Sequence, residues 1–446
     1  MDACIGGLIW WACGFGFAFG NVSGGFIGSK YFFAIGLDDP NSSKGYADWF
    51  FQYAFACTAA TIVSGSLAER VQISTYLVFS LFMTGIIYPV VVAWTWGEGW
   101  LSALGFSDFA GSGVVHLTGG VAGLVGAIMI KPRLGRFDEP DSAPMVDSES
   151  ADVNKRTIEV DKEPGEAQPS SSVNNLNTYD EVASRFDKKE WDINRVHEFV
   201  RIYNQKLSEK SLTSHSPQQV VLGTLILWLG WLMFNGGSSN QIVGSSGGDA
   251  KLAIVNSIIA PSAAGIFTFL TKRRITGQNQ NIRMDFQALT NGILAGLVSI
   301  TAGCNCVQPW AAFIIGIMGS LTYSFACKLL NKLKIDDPLD AAQVHGACGI
   351  LGCICVAFFD KNNGILYGAS GGGTLLGVQL LGCFCIIVWV GLTSGLFFWY
   401  AQKKQILRLS TRNEILGGDL YYFGPTEMEG QIAQYDNIEQ VEMVIR

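Results

Sequence analysis

Two of the four histidines in this 446-residue chain, His116 and His345, lie inside apolar runs, "VVHLTGGVAGLVG" and "QVHGACGILG". Imidazole is the side chain that titrates nearest neutral pH, and its two ring nitrogens can donate and accept at once. An ionisable group within a membrane-length apolar run is costly, commonly faces a bundle interior and is functional by default. Each histidine follows a valine. Aspartates precede them by eight positions (Asp108, Asp337), and glycines follow four and seven positions later (Gly120 and Gly123, Gly349 and Gly352). One pattern is used twice. A neutral pair of this kind suits passage of a small polar molecule or relay of a proton; the alternative is a pair of satisfied packing residues. The aspartates fall just before their runs, where a carboxylate can cap free N–H groups and meet the positive end of a helix dipole. Capping is the reading for Asp337, and Asp108 could also make an entrance favourable to cations.

The elements that position these residues are membrane spans. Only 15% of residues are charged, the net charge is -7 and mean hydropathy is positive, against about 25% charged in ordinary soluble domains. A bilayer needs roughly 20 apolar residues per helix. About ten such runs occur, near 4–22, 48–68, 73–95, 110–130, 218–238, 252–271, 286–303, 310–330, 341–359 and 376–400. The fold class expected is therefore an all-α polytopic membrane protein of about ten transmembrane helices. No secretory signal peptide is visible, and nothing in the charge balance points to nucleic acid. Alternate loops hold the basic residues: Arg70; Lys131, Arg133 and Arg136; Lys272, Arg273 and Arg274; Lys332 and Lys334; Lys403, Lys404 and Arg408. By the positive-inside rule these loops and both termini face the cytoplasm. His116 then lies in the fourth span and His345 in the ninth, so their helices run in opposite directions. A weaker echo links "FQYAFACTAATIVSG" with "FQALTNGILAGLVSI", also five spans apart. Inverted repeats of this kind place a transport site near the midplane.

The chain divides into spans at 1–136, a linker at 137–217, spans at 218–400 and a cytoplasmic tail at 401–446. The linker is acidic and rich in Ser and Pro, so it cannot bury enough surface to fold alone. Its end, 188–207, spaces Trp191, Val196, Phe199, Val200, Tyr203 and Leu207 as an amphipathic helix would. The 11 cysteines lie mostly within spans as small packing residues, with Cys304 and Cys306 on an outward loop. No metal site or cofactor is expected. The 12 tryptophans read mainly as interfacial anchors, and segments such as "GGVAGLVGA" as close helix packing. The His and Asp pairs come without a nucleophile or metal-ligand cluster, which argues against an enzyme.

Three segments, "DFAGSGVVHLTGGVAGLVGA", "ILWLGWLMFNGGSS" and "DDPLDAAQVHGACGILG", closely resemble signatures of the ammonium transporter (Amt/Mep/Rh) superfamily, in that order. The resemblance runs from residue 1 to about 420, the linker excepted. It implies an inverted-repeat bundle, a homotrimer with one pore per subunit, and a plasma-membrane location. It implies that His116 and His345 line the pore and that Phe55 and Phe234 form a gate. Trp96 and Ser238, with Phe55, would bind ammonium at the outer end, and Asp108 would serve folding or recruitment. Having both Trp96 and Ser238 favours the Amt branch over Rh, and His116 argues against the fungal pattern with glutamate at that position. Glu414, Gly417 and Asp419 match the spacing of a regulatory tail, with Tyr421 where plant members carry a phosphorylated threonine.

The resemblance also departs from the family. Members begin with a further helix before the segment matching "MDACIGGLIWWACGFGFAFG", so the expectation is a chain lacking the first family helix. The function implied is transmembrane transport of ammonium, or its analogue methylammonium: the cation is recruited at the aromatic site, deprotonated, and conducted as ammonia past the histidines. The alternatives are an Rh-like passive ammonia channel, or an ammonium sensor with little transport.

Overall fold

The structure, a computed structural model, describes residues 1–137, 216–240, 247–277 and 285–423. Most of the 137–217 linker, with the 188–207 segment, His197 and His215, lies outside the described residues. By contact the chain forms two units, Met1–Arg133 with Ser214–Leu409, and Leu134–Thr213 with Ser410–Arg446.

The first unit is helical, and its only β pairings among the described residues are the isolated bridges Val71–Arg408 and Val307–Asp360. Its helices are α1 (Asp2–Phe19), α2 (Tyr46–Leu67), α3 (Ile73–Trp94), α4 (Ser112–Ile130) and α5 (Pro217–Gly237). They continue as α6 (Gly247–Thr276), α7 (Phe286–Thr301), α8 (Pro309–Lys332), α9 (Ala342–Phe359) and α10 (Gly372–Lys403). Nine of these are long and apolar enough to cross a membrane, and α7 is apolar over 16 residues. The ten correspond one to one with the ten apolar runs.

Local chemistry sets where they begin. Pro217 and Pro309 open α5 and α8, where the missing N–H costs nothing. Asp285 Oδ1 accepts from Ala288 N at the start of α7 (2.9 Å), and Asp48 Oδ2 accepts from Gly45 N at the start of α2 (2.8 Å). Helix α5 exposes Leu222, Leu225, Ile226, Leu229 and Met233, the surface expected of a helix that meets lipid or another apolar face. The α3 and α4 spans are the most buried.

One end of this unit gathers the basic loops. Arg70 donates to Lys131 O (2.8 Å) and Asp336 O (2.7 Å), and Arg408 donates to Ile130 O (3.0 Å) and Pro132 O (2.8 Å). Three of these carbonyls, on Ile130, Lys131 and Pro132, are left open where α4 ends, the favourable location for positive charge on a helix dipole. Arg133 forms a two-pronged pair with Asp336 (Nε–Oδ2 2.7 Å, Nη2–Oδ1 3.1 Å) and reaches Glu69 (2.8 Å). The basic residues before α7 differ from the loop reading. Helix α6 continues to Thr276, so Lys272, Arg273 and Arg274 lie in it, and Lys272 is buried.

Helix α4 runs towards this basic end. Helix α9 begins there, after Asp336, and runs away towards Asp360, which bridges to Val307. The two histidine helices are therefore antiparallel. In the second unit the described elements are two short helices, Thr411–Leu416 and Gly418–Phe423, hinged at Gly417 with φ +96°. Glu414 is buried and its Oε1 accepts from Leu134 N (2.9 Å).

Candidate functional site

The site is a column of rings. At the end opposite the basic loops, a cavity of about 200 Å³ is lined by residues including Phe55, Trp96 and Ser238. Trp96 and Phe55 meet edge to face, with centroids 5.3 Å apart, and Phe55 lies 4.2 Å from Phe234. Phe234 approaches His116 at 5.8 Å, and His116 stacks on His345 at 5.2 Å and 25°. The expected gate and pore residues thus form one unbroken series. Ser238 Oγ donates its own proton to Phe234 O (2.8 Å), leaving its oxygen lone pairs to accept from a ligand.

The rings are positioned by their helices' irregularities. Ser112–Leu117 in α4 and Ala342–Ala347 in α9 are π-helical turns, a form that inserts an extra residue and is frequent at functional sites. The helices touch where Gly120 meets Gly346: a Cβ on Gly120 would lie 2.2 Å from Gly346 N. That approach allows the two imidazoles to meet, with Nδ1 to Nδ1 at 3.2 Å. A hydrogen bond there needs one ring protonated at Nδ1 and the other bare, so the pair holds two different tautomers when neutral. His116 Nε2 is buried with no hydrogen-bond partner among the described residues. Trp231 stacks on the same ring, at 4.8 Å and 20°, and its indole N–H is held by Thr301 Oγ1 (2.9 Å).

Asp108 sits 6% exposed at the head of α4. Its Oδ1 accepts from the backbone N–H of Gly111 and Ser112 (both 2.9 Å), and its Oδ2 from Gly113 and Val114 (both 2.8 Å). Burial pushes this carboxyl up, and the four N–H groups pull against that shift. Its carbonyl also accepts the Trp96 indole N–H (2.7 Å), so the helix cap and the cavity wall share one residue. Asp337, its counterpart before α9, accepts from Ala342 N (2.7 Å) and Ser66 Oγ (3.1 Å) through Oδ2, while Oδ1 is buried without a hydrogen-bond partner among the described residues. Burial raises the Asp337 carboxyl to about 6.

A model of the Ammonium Transporter Family matches residues 1–151 and 200–428. The chain belongs to the ammonium transporter family. It is 36% identical to Ammonium transporter 1 member 1 of Arabidopsis thaliana over 95% of this chain and 76% of that one. It is 35% identical to Ammonium transporter 1 member 1 of Solanum lycopersicum, over 95% and 78%. Among solved structures, a Sensor Amt Protein superposes with a TM-score of 0.72 at 30% identity, covering 95% of this chain and 88% of that one. Mep2 of Saccharomyces cerevisiae shares the fold (TM-score 0.68, 24% identity, 92% and 78% covered). Membership makes this a multi-pass membrane protein of the ammonium transporter fold, and its named relatives are transporters.

Several contacts escape a reading by type and spacing. Trp231 stands three positions before Phe234, one helical turn along the same face, and that spacing is the signal that could have flagged it. A polar cluster at the basic end was also missed: Tyr323 Oη donates to Asp340 Oδ2 (2.6 Å), and Lys272 Nζ lies 3.2 Å from the same oxygen. Asn291 Nδ2 donates to that oxygen as well (3.2 Å). Of the tail residues, Glu414 and Gly417 belong to the second unit, and the Asp419 side chain lies outside the described residues.

Proposed function

We propose that this chain moves ammonium across a lipid bilayer, with the cavity end outward and the basic end and both termini in the cytoplasm, and that it works as a homotrimer in the plasma membrane. Ammonium docks against Trp96 and Phe55, where ring quadrupoles are worth about 0.5–2 kcal/mol to a cation, and donates to Ser238 Oγ. Potassium has no proton to donate there. The Phe55–Phe234 contact closes the way to any hydrated ion, and the apolar column beyond it penalises charge. Ammonium passes by shedding its proton and crossing as ammonia past His116 and His345, while the proton follows through the imidazole pair, so each passage carries one charge inward. The twin rings offer that neutral molecule one nitrogen that donates and one that accepts. Asp108 acts through the α4 cap and the Trp96 indole, and Glu414, Gly417 and Asp419 form a regulatory tail.

The observation that carries this reading is the continuity of the rings from Trp96 to His345. The test is uptake of radiolabelled methylammonium, with current recording, in cells that lack ammonium uptake of their own. Saturable uptake with inward current supports a transporter. Ammonia flux with neither indicates a passive channel. A sensing role is the second reading, favoured by the similarity to a protein named as a sensor; deleting residues 141–210 leaves uptake intact and abolishes ammonium-dependent responses if that reading holds.

A further inference from the structure

The cavity at the column's outer end already contains an ammonium group of the protein's own. Lys44 and Asp48 line it beside Phe19, Phe55, Trp96 and Ser238. Lys44 Nζ stands 5.3 Å from the centroid of Phe19 and forms no salt bridge among the described residues. Asp48 commits Oδ2 to the cap of α2, accepting from Gly45 N at 2.8 Å, while Oδ1 makes no hydrogen bond among the described residues. A cation and an anion thus face the same small space without neutralising each other by contact.

A lysine side chain ends in a primary ammonium, the same donor chemistry and charge as the proposed substrate, and it already uses an aromatic face of the cavity. We infer that Lys44 is a tethered competitor in the recruitment cavity and Asp48 its counter-charge, so that the two together set how strongly ammonium is held at the mouth. This inference rests on reading the cavity as the recruitment site. Lys44 repels an arriving cation and occupies a ring that would attract it. Asp48 draws the cation in and offers Oδ1 as an acceptor for its N–H groups. The substrate class this pair selects is a small cation with several N–H donors, which can satisfy Asp48 and Ser238 together.

The test is the concentration dependence of methylammonium uptake by the full chain. Lys44→Met is expected to lower the half-saturation concentration, and Asp48→Asn to raise it, each by roughly two- to fivefold, the range for partly exposed charge pairs. Asparagine keeps an oxygen for Gly45 N, so the α2 cap survives the substitution. Lys44→Arg, which retains the charge, should return the parent value, and both shifts should shrink at high salt, as screened charges require. Unchanged half-saturation in Lys44→Met and Asp48→Asn overturns the inference. Trp96→Ala separates the two failures: if it alone raises half-saturation, the recruitment site stands and the charge pair is wrong. If it too has no effect, the recruitment reading fails.

Discussion

The Nδ1 atoms of His116 and His345 face each other at 3.2 Å across two helices that run in opposite directions. The contact depends on the backbone, because Gly120 lets α4 approach the Gly346 backbone of α9 more closely than a side chain at 120 would allow, whereas a Cβ on Gly346 would make only ordinary contact. Replacing Gly120 with alanine should force the helices apart. Overpacking of this sort costs about 1–3 kcal/mol, and here the loss includes the imidazole pair. Thermal unfolding in detergent checks the stability, and methylammonium uptake the pore; a variant with parent Tm and parent uptake would show that the crossing is not tight.

Either histidine replaced by alanine leaves the other ring without its partner and widens the column. Uptake should fall at least tenfold, which corresponds to about 1.4 kcal/mol on the barrier. Flux equal to the parent in His116→Ala would sink the idea that ammonia passes along these rings.

Asp108 presents four acceptor positions to four N–H donors. Asparagine can supply only half of them and turns an amide N–H₂ towards two donors. Unpaired buried groups cost about 1–3 kcal/mol each, so Asp108→Asn should lower Tm markedly and loosen the Trp96 anchor. A Tm equal to the parent, with uptake lost, would instead assign Asp108 to contact with the substrate.

Asp336 pairs with Arg133 in a nearly dry setting, and burial's upward push on its carboxyl is outweighed by the Arg133 hydrogen bonds, leaving it below the usual range. Its stabilisation is complete above the ordinary aspartate value and is lost as pH falls through the depressed one. Removing one partner of such a pair costs about 3–5 kcal/mol. Asp336→Ala should therefore yield little folded protein near neutral pH; near-parent Tm would refute this.

Asp337 has the opposite sign. Its carboxyl is raised to about 6, so its contribution is complete below the unfolded value near 3.9 and fades as pH rises through about 6. Asp337→Asn does not titrate, and relative to the parent it should gain Tm between pH 5 and pH 7.5, by an amount equivalent to about 1–1.5 kcal/mol. A difference that stays flat across that window would mean that Asp337 ionises without penalty.

Much of this was legible in the sequence because hydropathy is a one-dimensional signal. Ten apolar runs gave ten helices, and repeated Asp, His and Gly spacing located the pair whose rings meet. The family signatures named Phe55, Phe234, Trp96 and Ser238, which the fold brings to one column. What spacing could not give was lateral packing. Trp231 stacks on His116, and Lys272 finds Asp340 and Tyr323 from separate helices, contacts that depend on how helices are rotated about their axes. The π-helical turns were equally hidden, since an extra residue per turn leaves no mark on composition. Lys44 and Asp48 share one cavity because the start of α2 lies at its wall, a placement that charge and spacing do not reveal.

The glycine crossing has one more consequence. Two copies of one element meeting about a two-fold axis form an isologous contact, residue for residue, as in a symmetric dimer. The histidine pair is such a contact fused into a single chain, and a perfectly symmetric version would have no front or back. Asp108 and Asp337 break that equivalence: one spends both oxygens on the backbone, the other leaves one without a partner among the described residues. The inverted repeat is thus inexact where the two helices begin, since matching carboxylates are bonded to different groups.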